Sequence, residues 1–133
     1  MLDYLATLPA FLVYLGVASA LLLGFTILYV MLTPQREMPL IRQGNVSASV
    51  VFGSTVLGFA LPLASAVAHS VNLADLALWG AIACAVQAVA SLILRLLIHD
   101  LCAHIEADRV AVAITMASLK LAFGLLNAAA IVY

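Results

Sequence analysis

Four apolar segments of membrane-spanning length dominate this sequence. A helix of about 20 apolar residues crosses the hydrocarbon core of a bilayer, because each residue adds about 1.5 Å. Short polar connectors separate the segments, and the first segment holds no charged residue. The predicted spans are Ala10–Leu32, Val46–His69, Leu76–Leu97 and Val110–Tyr133. The sequence therefore predicts an all-α membrane protein with four transmembrane helices.

Composition agrees with that class. The chain has 133 residues, of which 67% are hydrophobic and 8% are charged, whereas soluble domains have about 45–50% apolar and about 25% charged residues. So little charge leaves a soluble fold unable to cover its core, and the length suits a single integral membrane domain, 1–133. The net charge of -1 excludes a basic surface for nucleic acid. Cys84 and Cys102 are predicted to be thiols, since two cysteines make no disulfide framework.

An internal repeat appears when the chain is shifted by 64 residues. The shift superimposes spans on spans and connectors on connectors, and it aligns Ser54 with Ser118 and Phe59 with Phe123. We predict two tandem helical hairpins of the same orientation, with repeat 1 at about 10–69 and repeat 2 at about 74–133. Parallel repeats of this kind imply a pseudo-two-fold axis along the membrane normal.

Small residues recur at four-residue spacing in equivalent places of both repeats. Such ladders let helix backbones approach closely in lipid. We expect them to form helix–helix seams within the protomer, with a subunit interface or a lined pathway as alternatives. The predicted packing residues are Gly16, Ala20 and Gly24 in the first span, Gly80, Cys84 and Ala88 in the third, Gly58 in the second and Gly124 in the fourth.

Lys120 lies at the centre of the fourth span, where a lysine costs roughly 2.5–3.5 kcal/mol on insertion scales. The spans contain no Asp or Glu that would pair with it. Gln87, Ser54 and Thr55 fall at similar depth, so we predict a midplane polar cluster in which Lys120 faces inward and bonds Gln87 and hydroxyls. The alternative is a lysine that reaches the interface or sits in a subunit seam.

The remaining polar residues form two groups. Asn127, Ser65 and His69 lie towards the end of the bundle opposite the connectors. In the second connector, Asp100 and His104 have an i, i+4 spacing that suits metal ligands, although a hydrated loop is the favoured interpretation, and neither a metal nor a cofactor is predicted. No phosphate-binding loop, nucleophile elbow or zinc motif occurs, and no catalytic residues are predicted, so we expect no enzyme. The other polar residues of that connector are His99, Glu106 and Asp108.

Lys and Arg residues predict the orientation. Arg36 and Arg42 lie in the first connector, and Arg95 and Arg109 flank the second. The positive-inside rule places both connectors in the cytoplasm and both termini outside. Pro34 and Pro39 are expected to break helix in the first connector.

The passage Ile41–Gly80 and the ending Gly124–Tyr133 resemble the YjfL-like family of bacterial inner-membrane proteins, domain-of-unknown-function family 350 (UPF0719 type). The Gly44-Asn45 step before an Ala/Ser-rich helix is the most specific part. Asp108 and Arg109 replace this step in the second repeat. The resemblance implies a duplicated hairpin in the bacterial cytoplasmic (inner) membrane, and gene neighbours in polyamine or glutathionylspermidine metabolism and membrane-stress systems. It carries over no catalytic residues, and Lys120 belongs to no family pattern.

Two functions fit these features. The first is a non-enzymatic oligomeric membrane subunit or scaffold, which contacts the lipid bilayer, further copies of itself and a cytoplasmic protein partner. The small-residue ladders and short loops favour it. The alternative is an oligomeric channel or transporter for small ions, protons or polyamines, built around Lys120. Water or dry packing around Lys120 would discriminate between them.

Overall fold

A computed structural model describes residues 2–33 and 37–131, with side chains from residue 4 onward. Over these ranges the chain is helical apart from short turns, and four of its helices are long and apolar enough to cross a membrane. This confirms the predicted all-α membrane class. Pro34, Arg36 and Tyr133 lie outside the described residues. The helices are α1 (Leu2–Leu32), α2 (Glu37–Arg42), α3 (Val46–His69), α4 (Leu73–Leu97), α5 (Leu101–Glu106) and α6 (Val110–Ala130).

The helix starts differ from the predicted ones at two spans. α1 begins at Leu2 rather than Ala10, and α4 at Leu73 rather than Leu76. Pro39, expected to break helix, lies in the first turn of α2. Proline fits there because the N–H groups of a first turn have no partner within the helix.

Asparagine caps explain where two spans begin. Asn45 accepts a hydrogen bond from the Ala48 N–H at 2.8 Å, and Asn72 accepts one from the Asp75 N–H at 2.8 Å. The Asp75 carboxylate in turn accepts the Val71 N–H at 3.0 Å. These bonds satisfy N–H groups that would otherwise lack partners at the start of a helix, so α3 and α4 start at their caps.

The pair α3 and α6 forms the centre of the bundle. A Cβ built on Gly124 would lie 3.2 Å from the Gly58 carbonyl oxygen, so these two helices touch backbone to backbone. α4 packs against both α3 and α6. α1 packs mainly against α3 and α4. The most apolar window of α1 is 6% buried, against 44% for α3. Most of α1 therefore faces outward from the protomer.

Helix boundaries recur along the chain with the predicted repeat. α5 begins 64 residues after α2, and α6 begins 64 residues after α3. The backbone is left-handed at Gly44 (φ 85°) and at its counterpart Asp108 (φ 54°). Asp is among the residues that tolerate this region, so the second repeat keeps the turn without its glycine. This recurrence is compatible with two tandem hairpins, which remain a prediction.

The two connectors interlock. The Asn45 side-chain amide donates to the Ile105 carbonyl at 2.8 Å, and the Ser47 N–H donates to the Asp108 carboxylate at 2.9 Å. The hydrogen bond from the Ser47 backbone lowers the pKa of Asp108 below its ordinary value, because it favours the ionised carboxylate. The start of α3 is thus held by a residue of the second connector.

Candidate functional site

Lys120 is fully enclosed in the bundle, with 1% of its surface exposed. Its Nζ donates a hydrogen bond to Thr55 Oγ1 on α3 at 2.8 Å. Thr55 Oγ1 donates its own proton to the Val51 carbonyl at 3.1 Å. The lysine therefore joins α6 to α3 through a hydroxyl that both accepts and donates.

The Tyr29 ring covers the lysine from α1. Nζ lies 4.7 Å from the ring centroid, within the range of a cation–π contact. Phe59 meets Tyr29 edge-on, with ring centroids 6.0 Å apart, and this contact helps to set the ring orientation. Helical side chains lean towards the N-terminus of their helix, so the amino group of Lys120 extends from the middle of α6 towards the connectors, where Tyr29 lies near the end of α1.

Two charged residues at the connector end of the bundle act on Lys120 through their charges. Glu37 of α2 is buried, and both Glu37 and Arg95 of α4 act electrostatically on Lys120. The Arg95 guanidinium also donates to Cys102 Sγ at 3.6 Å. Glu37 was not expected near Lys120 because it belongs to a connector, but the short helix α2 buries it in the bundle.

Gln87 contacts the backbone of Lys120 rather than its amino group. Its Nε2 donates to the Lys120 carbonyl at 3.2 Å. A Cβ on Gly58 would lie 2.8 Å from this Nε2, so the glycine leaves the space that the amide occupies. Ser54 turns back to the Val51 carbonyl of its own helix at 2.6 Å. Of the residues predicted to surround Lys120, the structure brings only Thr55 to its amino group.

The outer polar residues act separately instead of forming one site. Asn127 of α6 donates to the Ala83 carbonyl of α4 at 3.0 Å, and Ser65 of α3 donates to the Ala128 carbonyl of α6 at 2.7 Å. His69 is exposed, and its Nδ1 lies 2.8 Å from the Ser65 carbonyl of the same helix. Asn127 and Ser65 each join two spans at one point.

The two small-residue ladders face opposite ways. Gly80 and Cys84 are buried, and Leu21 and Leu63 approach Gly80 closely. In contrast, a Cβ built on Gly24 would meet nothing within 4 Å. Ala88 is half-buried, whereas Gly16, Ala20 and Gly24 are exposed. The expectation of a seam within the protomer fails for the first ladder, because α1 packs through its opposite face.

The polar side chains of the second connector make separate contacts. The exposed Asp100 carboxylate lies 3.2 Å from His99 Nε2, while His104 Nδ1 lies 2.7 Å from Arg109 Nη1. Glu106 is exposed. Among residues 2–33 and 37–131, no three His, Cys, Asp or Glu side chains are grouped to hold a metal ion.

Sequence reasoning missed Tyr29, which contacts the Lys120 amino group, and it missed Glu37 and Arg95, whose charges act on that group. The sequence held a signal for two of them. Tyr29 and Arg95 lie within one turn of the connector ends of their helices, and the side chain of a lysine on α6 points towards that end of the bundle. For Glu37 the signal was absent, since nothing in the connector predicted a buried helix.

These features define a small polytopic membrane protein with a lysine buried among its helices. The chain matches the family described as Domain of Unknown Function (DUF350) over residues 3–131, and it belongs to that family. It is 34% identical over 125 residues to the UPF0719 inner membrane protein YjfL of Escherichia coli (strain K12), covering 94% of this chain and 95% of that protein. The protein of the same name from Escherichia coli O157:H7 matches equally. No solved structure matches the chain. The family resemblance is thereby confirmed.

Proposed function

We propose that this protein is a non-enzymatic, oligomeric subunit of the bacterial inner membrane, a scaffold that recruits a protein partner through its connectors. The observation that carries the proposal is the close packing around Lys120: Lys120 and Gln87 are each only 1% exposed. Thr55 and the Tyr29 ring occupy the space around the lysine amino group. A pathway through a single protomer would need water at these groups.

The exposure of α1 supports the oligomeric part of the proposal. Its most apolar window is 6% buried within the protomer. Its outward face carries the ladder of Gly16, Ala20 and Gly24, and small residues at this spacing are typical of helix–helix contacts in lipid.

The connectors support the recruiting part. His99 and Asp100 present exposed polar groups at the end of α4, with side chains 94% and 65% accessible. The distribution of Arg residues favours cytoplasmic connectors and termini outside the cytoplasm. A partner protein in the cytoplasm would meet this surface, and the resemblance suggests membrane-stress or polyamine-linked systems as its setting.

The test combines the mass of the purified protein in nanodiscs with ion flux from the same sample in liposomes. An oligomer without flux above empty liposomes supports the scaffold. Flux that Lys120→Met or Gln87→Leu abolishes overturns it in favour of the channel or transporter, and a monomer overturns the oligomeric part. An inactive C-terminal alkaline phosphatase fusion beside a fluorescent GFP fusion overturns the proposed orientation.

A further inference from the structure

A groove between α1 and α3 is filled by α4 within each protomer. Tyr29 and Phe59 are buried together with Cys84, and further side chains of the same helices pack against them. The groove is lined by Leu21, Leu22, Phe25, Tyr29 and Phe59, and the residues of α4 that fill it are Cys84, Ala88 and Leu92.

The repeat places a second groove of the same construction between α4 and α6. Five of its six lining residues stand 64 positions after a residue of the first groove. This second groove is open: it forms an apolar cavity of about 370 Å³ on the surface of the bundle. Its lining residues include Ala85, Val86, Val89, Ile93 and Phe123, the counterparts of the five residues named above.

The repeat also places a second filling face on α1. Ala20, Gly24 and Leu28 are the counterparts of Cys84, Ala88 and Leu92. All three are exposed, with Leu28 at 51%. They point away from the protomer because α1 uses its opposite face, which includes Tyr29, to pack inward. Within the described part of the chain, the repeat thus relates a filled groove to an open one and the filling face of α4 to an unused face of α1.

We infer that the Ala20–Gly24–Leu28 face of one copy fills the α4–α6 groove of a second copy, as Cys84, Ala88 and Leu92 fill the α1–α3 groove within each copy. The inference rests on the oligomeric assembly proposed above and specifies its interface. Both surfaces lie at matching depth in the bilayer, since equivalent positions of same-orientation hairpins lie at the same level. The interface repeats a contact that the fold already makes.

Several residues at the inferred interface are smaller than those at the equivalent contact within the protomer, so the helices of two copies can approach each other more closely. In the groove, Ala85 replaces Leu21 and Val89 replaces Phe25, and on the filling face Gly24 replaces Ala88. Smaller residues on both sides bring the two backbones nearer, and such close packing is what drives helix association in lipid.

The contact is heterologous, because a filling face on one copy meets a groove on the next. Each copy has one of each, so copies join head to tail with the same orientation in the membrane. Heterologous contacts close into a ring when the rotation between copies allows it and otherwise continue as an open chain. Because all copies have the same orientation in the membrane, neighbouring copies are related by a rotation about the membrane normal, and we expect a closed ring.

Cysteine cross-linking tests the interface in the full-length protein, in a background of Cys84→Ala and Cys102→Ser. Gly24→Cys and Val89→Cys are expressed as single variants alone, as two single variants in the same cells, and as a double variant in one chain, and the membranes are then oxidised. We expect no cross-linked band from either single variant alone, a dimer band from the two co-expressed single variants, and a ladder of multimers from the double variant. Leu57→Cys, on an exposed position of α3, replaces Val89→Cys as the control and is expected to give no band with Gly24→Cys.

A second measurement tests whether a large side chain on the filling face of α1 weakens association. Gly24→Leu places a large side chain on the filling face where nothing of the protomer lies within 4 Å, and Gly53→Leu is the matched control on α3, with equally open surroundings. We expect Gly24→Leu to weaken association in nanodiscs at least 10-fold and Gly53→Leu to leave it unchanged. An oligomer that forms no 24–89 cross-link overturns this interface but leaves the proposed function standing. A monomer at all protein-to-lipid ratios, with lipid alone covering both faces, overturns both.

Discussion

Replacing Gly124 by Ala is expected to destabilise the bundle where the backbones of α3 and α6 touch. The added Cβ would lie 3.2 Å from the Gly58 carbonyl oxygen and 3.4 Å from the Gly58 Cα. Both atoms belong to backbone, so relief requires α3 and α6 to move apart by a few tenths of an ångström. This separation also stretches the Lys120–Thr55 hydrogen bond between the same helices.

Two opposing terms set the magnitude. Overpacking a well-packed interior costs about 1–3 kcal/mol, while Ala in place of a helical Gly gains about 0.5–1 kcal/mol. The first term exceeds the second because the obstacle is backbone, and we expect a net loss of about 1–2 kcal/mol in the free energy of unfolding.

Reversible unfolding by SDS in mixed micelles, followed by the fluorescence of the single tryptophan, Trp79, measures this loss. Gly53→Ala is the control, since a Cβ at Gly53 meets nothing within 4 Å, and we expect it to be neutral or stabilising by up to about 1 kcal/mol. If Gly124→Ala proved as stable as Gly53→Ala, the backbone contact between α3 and α6 would not limit the size of the residue at position 124.

Three further predictions use the same unfolding assay. Asn45→Ala removes both the cap of α3 and the bond to Ile105, and is expected to cost about 1–2 kcal/mol; a loss below about 0.5 kcal/mol contradicts the interlock. Asn127→Leu removes one bond between spans, for an expected loss of about 0.6 kcal/mol, and an unchanged stability contradicts it. Because the folded pKa of Asp108 is lowered, its stabilisation is present above the ordinary Asp value near pH 4 and is lost as pH falls through the lowered value. Asp108→Asn should therefore flatten the acid side of the stability profile, and an unaltered profile contradicts this role.

The spans were predictable because hydrophobic length determines them. α3 has the predicted bounds, and α6 begins at the predicted Val110. Both α1 and α4 begin earlier than hydropathy suggested. α4 begins directly after its cap, Asn72, and α1 continues through Pro9 to Leu2. α2 and α5 were missed because six-residue helices are too short for a periodic pattern to stand out.

The surroundings of Lys120 were predictable only in part. Depth along the spans indicated Thr55 and Gln87, but depth is measured at the Cα atom, whereas a lysine side chain reaches several ångströms along the helix axis. That reach carries the amino group to Tyr29 and into the field of Glu37. The outward direction of Gly24 was also beyond the sequence, because both faces of α1 are apolar and only the packing of α4 selects one of them.

The interlock of the connectors has a consequence for how the chain matures during synthesis. The Ser47 N–H finds its acceptor in Asp108, and the Asn45 amide finds its acceptor in Ile105. Both acceptors leave the ribosome well after α3. A nascent chain that ends before Ile105 therefore lacks both acceptors, and the start of α3 reaches its full set of hydrogen bonds only once the second connector has been made.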